Sequence, residues 1–135
     1  MRKAFTGLAA LLLLAVVAQF YLAASGAFDT APIDESFQPH RTLGYVILVF
    51  AFVITIAAAV ARMSRRLVGL AGLVTGLVIG QSVIREVARA FGEGSSAGHL
   101  VFGLHAVNGL VIVGVIGMIV WQSRRAAWEP SAPAS

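Results

Sequence analysis

The stretch LGYVILVFAFVITIAAAVA, residues 43 to 61, decides the fold. It contains no charged side chain and lies between Arg41 and Arg62. Wound as a helix at about 1.5 Å per residue, it reaches about 28 Å, close to the thickness of the hydrocarbon core of a bilayer. Pro39 precedes it, in an opening turn where the missing N–H removes no helical bond, and brings His40 and Arg41 into that turn.

Working outward, three similar runs appear. Arg62, Arg65 and Arg66 form a short connection to a third apolar segment, which continues through Arg85, Glu86 and Arg89 before the Gly92–Gly98 segment ends it. On the N-terminal side, residues 26–41 carry Asp29, Asp34, Glu35, Pro32 and Pro39 and cannot cross lipid, whereas Phe5–Ala24 can. The last run starts near His99 and reaches Trp121. The expectation is an all-α integral membrane four-helix bundle over residues 1–125, with spans at about 5–25, 40–61, 67–89 and 99–122, followed by a flexible cytoplasmic tail at 126–135. A cleaved signal peptide ending at Ala27 is the competing reading of the first run, which is long for one.

The composition agrees. Of 135 residues, 59% are hydrophobic and 12% charged, and the mean hydropathy is +0.88. Four crossings of about 20 residues leave no room for a separate soluble catalytic domain. The absence of Cys excludes disulfides, thiolate metal sites and covalent C-x-x-C-H haem attachment. The net charge of +4 does not point to nucleic acid, because the basic residues gather at the ends of apolar runs. Alternating sides puts Arg2, Lys3, Arg62, Arg65, Arg66, Arg124 and Arg125 against Arg41, Arg85 and Arg89. That bias predicts an inner (plasma) membrane protein with both termini cytoplasmic, its basic side on anionic headgroups.

Gly72, Gly76 and Gly80, with Gly69 one turn away, form a small-residue stripe on the third span. It predicts close helix packing, within the bundle or against a membrane partner or second copy. The informative exceptions to the apolar pattern are Gln19, Gln81, His105 and Asn108, with His40 and His99 near the outer ends. All fall in the outer half. His105 and Asn108 share a helical face. His40 and His105 on alternate spans suit axial ligation of one haem by two imidazoles, with Gln19, Gln81 or Asn108 hydrogen-bonding around it. Depth weighs against the pair: His105 lies about 9 Å below His99 while His40 stays near the helix start. For His105, Gln19 and Gln81 the alternative role is an interhelical hydrogen bond, and for His40 it is an interfacial or helix-start contact.

Two segments, Phe37-Gln38-Pro39-His40-Arg41-Thr42-Leu43-Gly44 and Leu104-His105-Ala106-Val107-Asn108-Gly109, together with Gln19-Phe20 and Gln81, resemble an uncharacterised family of small four-helix membrane proteins found mainly in actinobacteria. The resemblance covers about residues 5–122. It singles out His40, Gly44, His105, Asn108 and Gly109, with Gln19 and Gln81 as weaker correspondences. Histidines on alternate spans also look like those of four-helix membrane b-type cytochromes.

Two functions follow as expectations. One is a small membrane protein that binds haem b or a quinone-like ligand through His40, His105, Asn108, Gln19 and Gln81, with His40 and His105 as metal ligands, and supports electron transfer. The other is a non-enzymatic accessory or assembly subunit of a larger membrane complex. Hydrolytic chemistry is disfavoured, since there is no Cys and no buried carboxylate to pair with a histidine.

Overall fold

The computed structural model describes residues 1–92 and 95–128. Among them the chain forms α1 (Arg2–Ala27), α2 (Ile33–Ser36), α3 (Gln38–Val60), α4 (Arg65–Ala90) and α5 (Ser96–Trp128). Helices α1, α3, α4 and α5 are long and apolar enough to cross a membrane, whereas α2 is a single turn within the polar connection. The chain is an all-α, multi-pass membrane four-helix bundle. Contacts run α1 to α3, α3 to α4, α4 to α5 and α5 back to α1, so α1 lies diagonally across from α4, and α3 from α5. The start of α1, the end of α5 and the α3–α4 connection share one end of the bundle, here the terminal end. Helix α5 continues past the expected limit of the fourth span to Trp128, and residues 129–135 of the expected tail lie outside the described residues.

The core is a seam with one spacing on every helix. Phe5, Ala9, Leu12 and Val16 are buried on α1, Ile47, Ala51, Ile54 and Ala58 on α3, and Leu67, Ala71, Val74 and Val78 on α4. Helix α5 contributes Ile112, Ile116, Ile119 and Ser123. Each set advances by four, three and four residues, the 3.5-residue period that turns one stripe toward neighbouring helices in a left-handed bundle. Ala at one position opposite Leu, Ile or Val at another lets backbones approach and interdigitate. That packing matters here because lipid solvates apolar side chains as well as a neighbouring helix does. Leu11, Leu14, Val49, Val53 and Leu110 lie exposed on the outer faces, as lipid-facing positions should.

The seam also exposes an internal repeat. The α1 set maps onto the α4 set at a constant offset of 62 residues, and the α3 set onto the α5 set at 65. Continued by the same spacing, the seam reaches Gln19 on α1 and Gln81 on α4, Gly44 and His40 on α3, and Gly109 and His105 on α5. The two hairpins thus repeat one pattern about the bundle axis.

Within the chain the glycine stripe has neighbours only at Gly72 and Gly80. A Cβ on Gly72 would touch Thr55 at 3.9 Å and one on Gly80 would touch Asn108 at 3.8 Å, whereas positions 69 and 76 meet nothing within 4 Å. Four-residue steps advance about 400° around a helix, so such a stripe winds from one side to the other. Between α3 and α4 the hydroxyls of Thr55 and Thr75 lie 3.1 Å apart, adding a polar tie between the two spans.

The connections are built locally. At the end of α3, Met63 N–H donates to the Ala58 carbonyl and Arg62 N–H to the Ala59 carbonyl, each at 3.0 Å. This is a Schellman closure with Arg62 at φ 50°, a position usually held by glycine. Ser64 then caps α4, its Oγ accepting from Leu67 N–H. After α4, Gly92 at φ 92° turns the chain toward α5.

Candidate histidine pair at the far end of the bundle

At the end away from the termini, the apolar seam gives way to the glutamine, glycine and histidine positions of both hairpins. His40 is the third residue of α3 and His105 the tenth of α5, yet their ring centres are 6.3 Å apart, with the planes inclined at 50°. The expected depth mismatch is therefore absent. Helix α5 starts about 10 Å farther out than α3, and that overhang brings His105 level with His40.

Each ring is tied to its own hairpin in the same way. His40 Nδ1–H donates to the backbone carbonyl of Gln19 at 3.1 Å, and His105 Nδ1–H to that of Gln81 at 3.3 Å. A carbonyl only accepts, so these bonds assign the proton of each neutral ring to Nδ1 and leave the Nε2 lone pair available. Both rings are half-buried. Phe102 stacks on His105 with centres 5.3 Å apart, and Phe37 meets His40 edge-on at 6.3 Å. These aromatic contacts restrict ring rotation.

The glutamine side chains lie over the two glycines. A Cβ at position 44 would sit 3.0 Å from Gln19 Nε2, and one at 109 would sit 3.4 Å from Gln81 Nε2 and 3.2 Å from Phe20 Cζ. The absence of side chains at 44 and 109 therefore makes room for the amides. Gln19 Oε1 and Gln81 Oε1 are both buried with no hydrogen-bond partner, an arrangement that costs about 1–3 kcal/mol per group unless a donor arrives. Asn108 is already engaged, its Nδ2 donating to the Leu77 carbonyl at 2.9 Å, which ties α5 to α4.

Other polar groups mark the edge of this end. Arg41 pairs with the Asp34 carboxylate at 3.3 Å and also donates to the Asp34 backbone carbonyl. Arg85 pairs with Glu86 at 2.6 Å. His99 is exposed and stands apart from the pair. No group of three or more His, Cys, Asp or Glu side chains suited to a metal ion occurs among the described residues, so any metal held here would depend on two imidazoles and on ligands from outside the chain.

Of the residues singled out in the sequence, His40 and His105 come together, Gln19 and Gln81 flank them through their helices, and Asn108 serves a helix–helix bond. The equivalence of the two Gln, His and Gly sets escapes a reading based on depth alone. Its signal is the shared four-and-three spacing.

The fold and this site define a small four-span helical membrane protein with a paired polar site at one end of its bundle. The chain belongs to the family of unknown function DUF6220, whose pattern matches residues 19–88. That match takes in Gln19, His40, Gly44 and Gln81, while His105, Asn108 and Gly109 lie beyond it. No curated protein and no solved structure matches the chain.

Proposed function

We propose that this protein is a small electron-transfer component of the plasma membrane, in which His40 and His105 would hold haem b through their Nε2 atoms. The observation that carries the reading is the ring separation of 6.3 Å combined with Nδ1 anchoring on both sides. An imidazole nitrogen sits about 2 Å from a bound metal and about 1.2 Å from its own ring centre, so two imidazoles across one ion place their centres about 6.4 Å apart. A para-quinone bridged by hydrogen bonds from both rings would need nitrogens about 11 Å apart, given about 2.8 Å per bond. Ring centres 6.3 Å apart are too close for such a bridge, and one ion would fit between them where the two Nε2 atoms face each other.

The surrounding residues fit such a group. Backbone carbonyls fix each ring's tautomer and orientation and raise its basicity as a ligand. Gly44 and Gly109 seat the Gln19 and Gln81 amides, which would offer polar contacts along the other diagonal of the bundle. Haem b would supply a one-electron redox centre. The chain's own residues would hold it and keep it at the far end, facing away from the cytoplasm in the orientation favoured by the basic residues. Protein purified from haem-replete cells should show a Soret band and a reduced α band of a low-spin b-type centre. Loss of both bands in His105→Ala and in His40→Ala, with helix content intact, is the expected result. Wild-type protein without either band would overturn the reading.

A second reading, an accessory or assembly subunit of a larger membrane complex, is favoured by the outward-facing small positions. Gly69 and Gly76 on α4 and Gly103 and Gly114 on α5 each meet nothing within 4 Å, leaving backbone that another helix can approach closely. A stoichiometric partner retained in mild detergent by a cofactor-free chain would select this reading.

A further inference from the structure

The terminal end carries a feature independent of the histidine pair. Between α1, at Leu13 near its middle, and the end of α5 lies an open cleft of about 470 Å³. Its inner wall is apolar, formed by Leu13, Gly117 and Val120, and its mouth is formed by Trp121, Trp128 and two arginines, Arg124 and Arg125. Position 117 has no atom within 4 Å of where a Cβ would stand, so the groove runs up against the α5 backbone.

The mouth is organised by cations and aromatic faces. The Arg125 guanidinium lies 4.4 Å from the centre of the Trp121 ring, and Lys3 Nζ lies 5.5 Å from that of Trp128. Arg2 donates to the Ala126 carbonyl at 3.3 Å, closing the corner from the α1 side. Helix α1 opens with Arg2 and Lys3, has no side-chain cap and has no acidic residue in its first turn. Basic side chains beside unsatisfied helical N–H groups oppose the helix dipole, whereas an anion placed there would be favoured by both. Every acidic side chain among the described residues, Asp29, Asp34, Glu35 and Glu86, belongs to the opposite end.

We propose that this cleft binds one anionic phospholipid, with an acyl chain against Leu13, Gly117 and Val120 and the headgroup phosphate at Arg124 and Arg125. The charge of the mouth selects an anion. The apolar groove continuing below it along the spans selects a lipid over a free phosphate. Indole rings at the boundary match the depth at which tryptophan settles between headgroups and acyl chains, and arginine donates in pairs to phosphate oxygens.

The chain's two tryptophans, Trp121 and Trp128, both line the cleft, so intrinsic fluorescence reports on it directly. The full chain is reconstituted in phosphatidylcholine vesicles containing one-tenth dibrominated phosphatidylglycerol or one-tenth dibrominated phosphatidylcholine. The expected result is several-fold stronger quenching by the anionic lipid. That preference is lost in Arg124→Gln/Arg125→Gln and in Gly117→Leu, which fills the groove, and is kept in Arg65→Gln/Arg66→Gln. Equal quenching by the two lipids, or a preference that survives both cleft variants, overturns the proposal. Relief of quenching by millimolar inorganic phosphate would assign the mouth to a free anion and overturn it as well.

Discussion

At the scale of single residues, the far end is set by what is missing as much as by what is present. Gly109 allows Gln81 and Phe20 to sit where a side chain would stand. Gly109→Val should therefore lower stability by about 1–3 kcal/mol through overpacking, while Gly76→Val, placed in open space, should change it by less than about 0.5 kcal/mol. Thermal unfolding in detergent compares the two directly. The buried amide oxygens of Gln19 and Gln81 lead to a different expectation. Replacing both by Leu removes two unpartnered polar atoms, so the cofactor-free fold should be no less stable. Haem affinity should nevertheless fall by about 10-fold or more, as it does when groups around metal ligands are lost, and haem titration of the apo-protein measures it. A double variant that lost stability but kept affinity would show that the amides serve packing alone.

At the scale of helices, four crossings are legible in the sequence because hydropathy and run length report directly on insertion. The facing of each helix is less legible. Lipid and core are both apolar, so residues such as Leu11 and Leu12 look alike although the first is exposed and the second buried. The seam is marked instead by small residues and rare polar ones at four-and-three spacing, and Gln19, His40, Gln81 and His105 belong to it. Their common depth was hidden because it depends on how far α5 overhangs α3, a length fixed by packing rather than by hydropathy. The turn after α3 offers a test at this scale. Arg62 holds a left-handed conformation that costs an L-residue about 1–2 kcal/mol. Arg62→Gly should raise unfolding stability by up to about that amount while leaving Arg65 and Arg66 to maintain orientation. A drop in stability would mean that the Arg62 side chain makes contacts that outweigh its backbone strain.

At the scale of the whole molecule, the two hairpins place equivalent residues on opposite diagonals. The histidines come from α3 and α5, the glutamines from α1 and α4. A ligand at the centre would thus meet the same chemistry from each half. The asymmetry of basic residues predicts that reporters fused at either terminus, or inserted at the α3–α4 connection, report cytoplasm, and that one inserted near Asp29 reports the opposite side. The most direct test of the account is the haem content per chain, by pyridine haemochrome, of protein purified gently from haem-replete cells. The account predicts about one haem b per wild-type chain and none in His40→Ala or His105→Ala. A folded wild-type chain free of haem, or haem retained at full occupancy when both histidines are replaced, would contradict it.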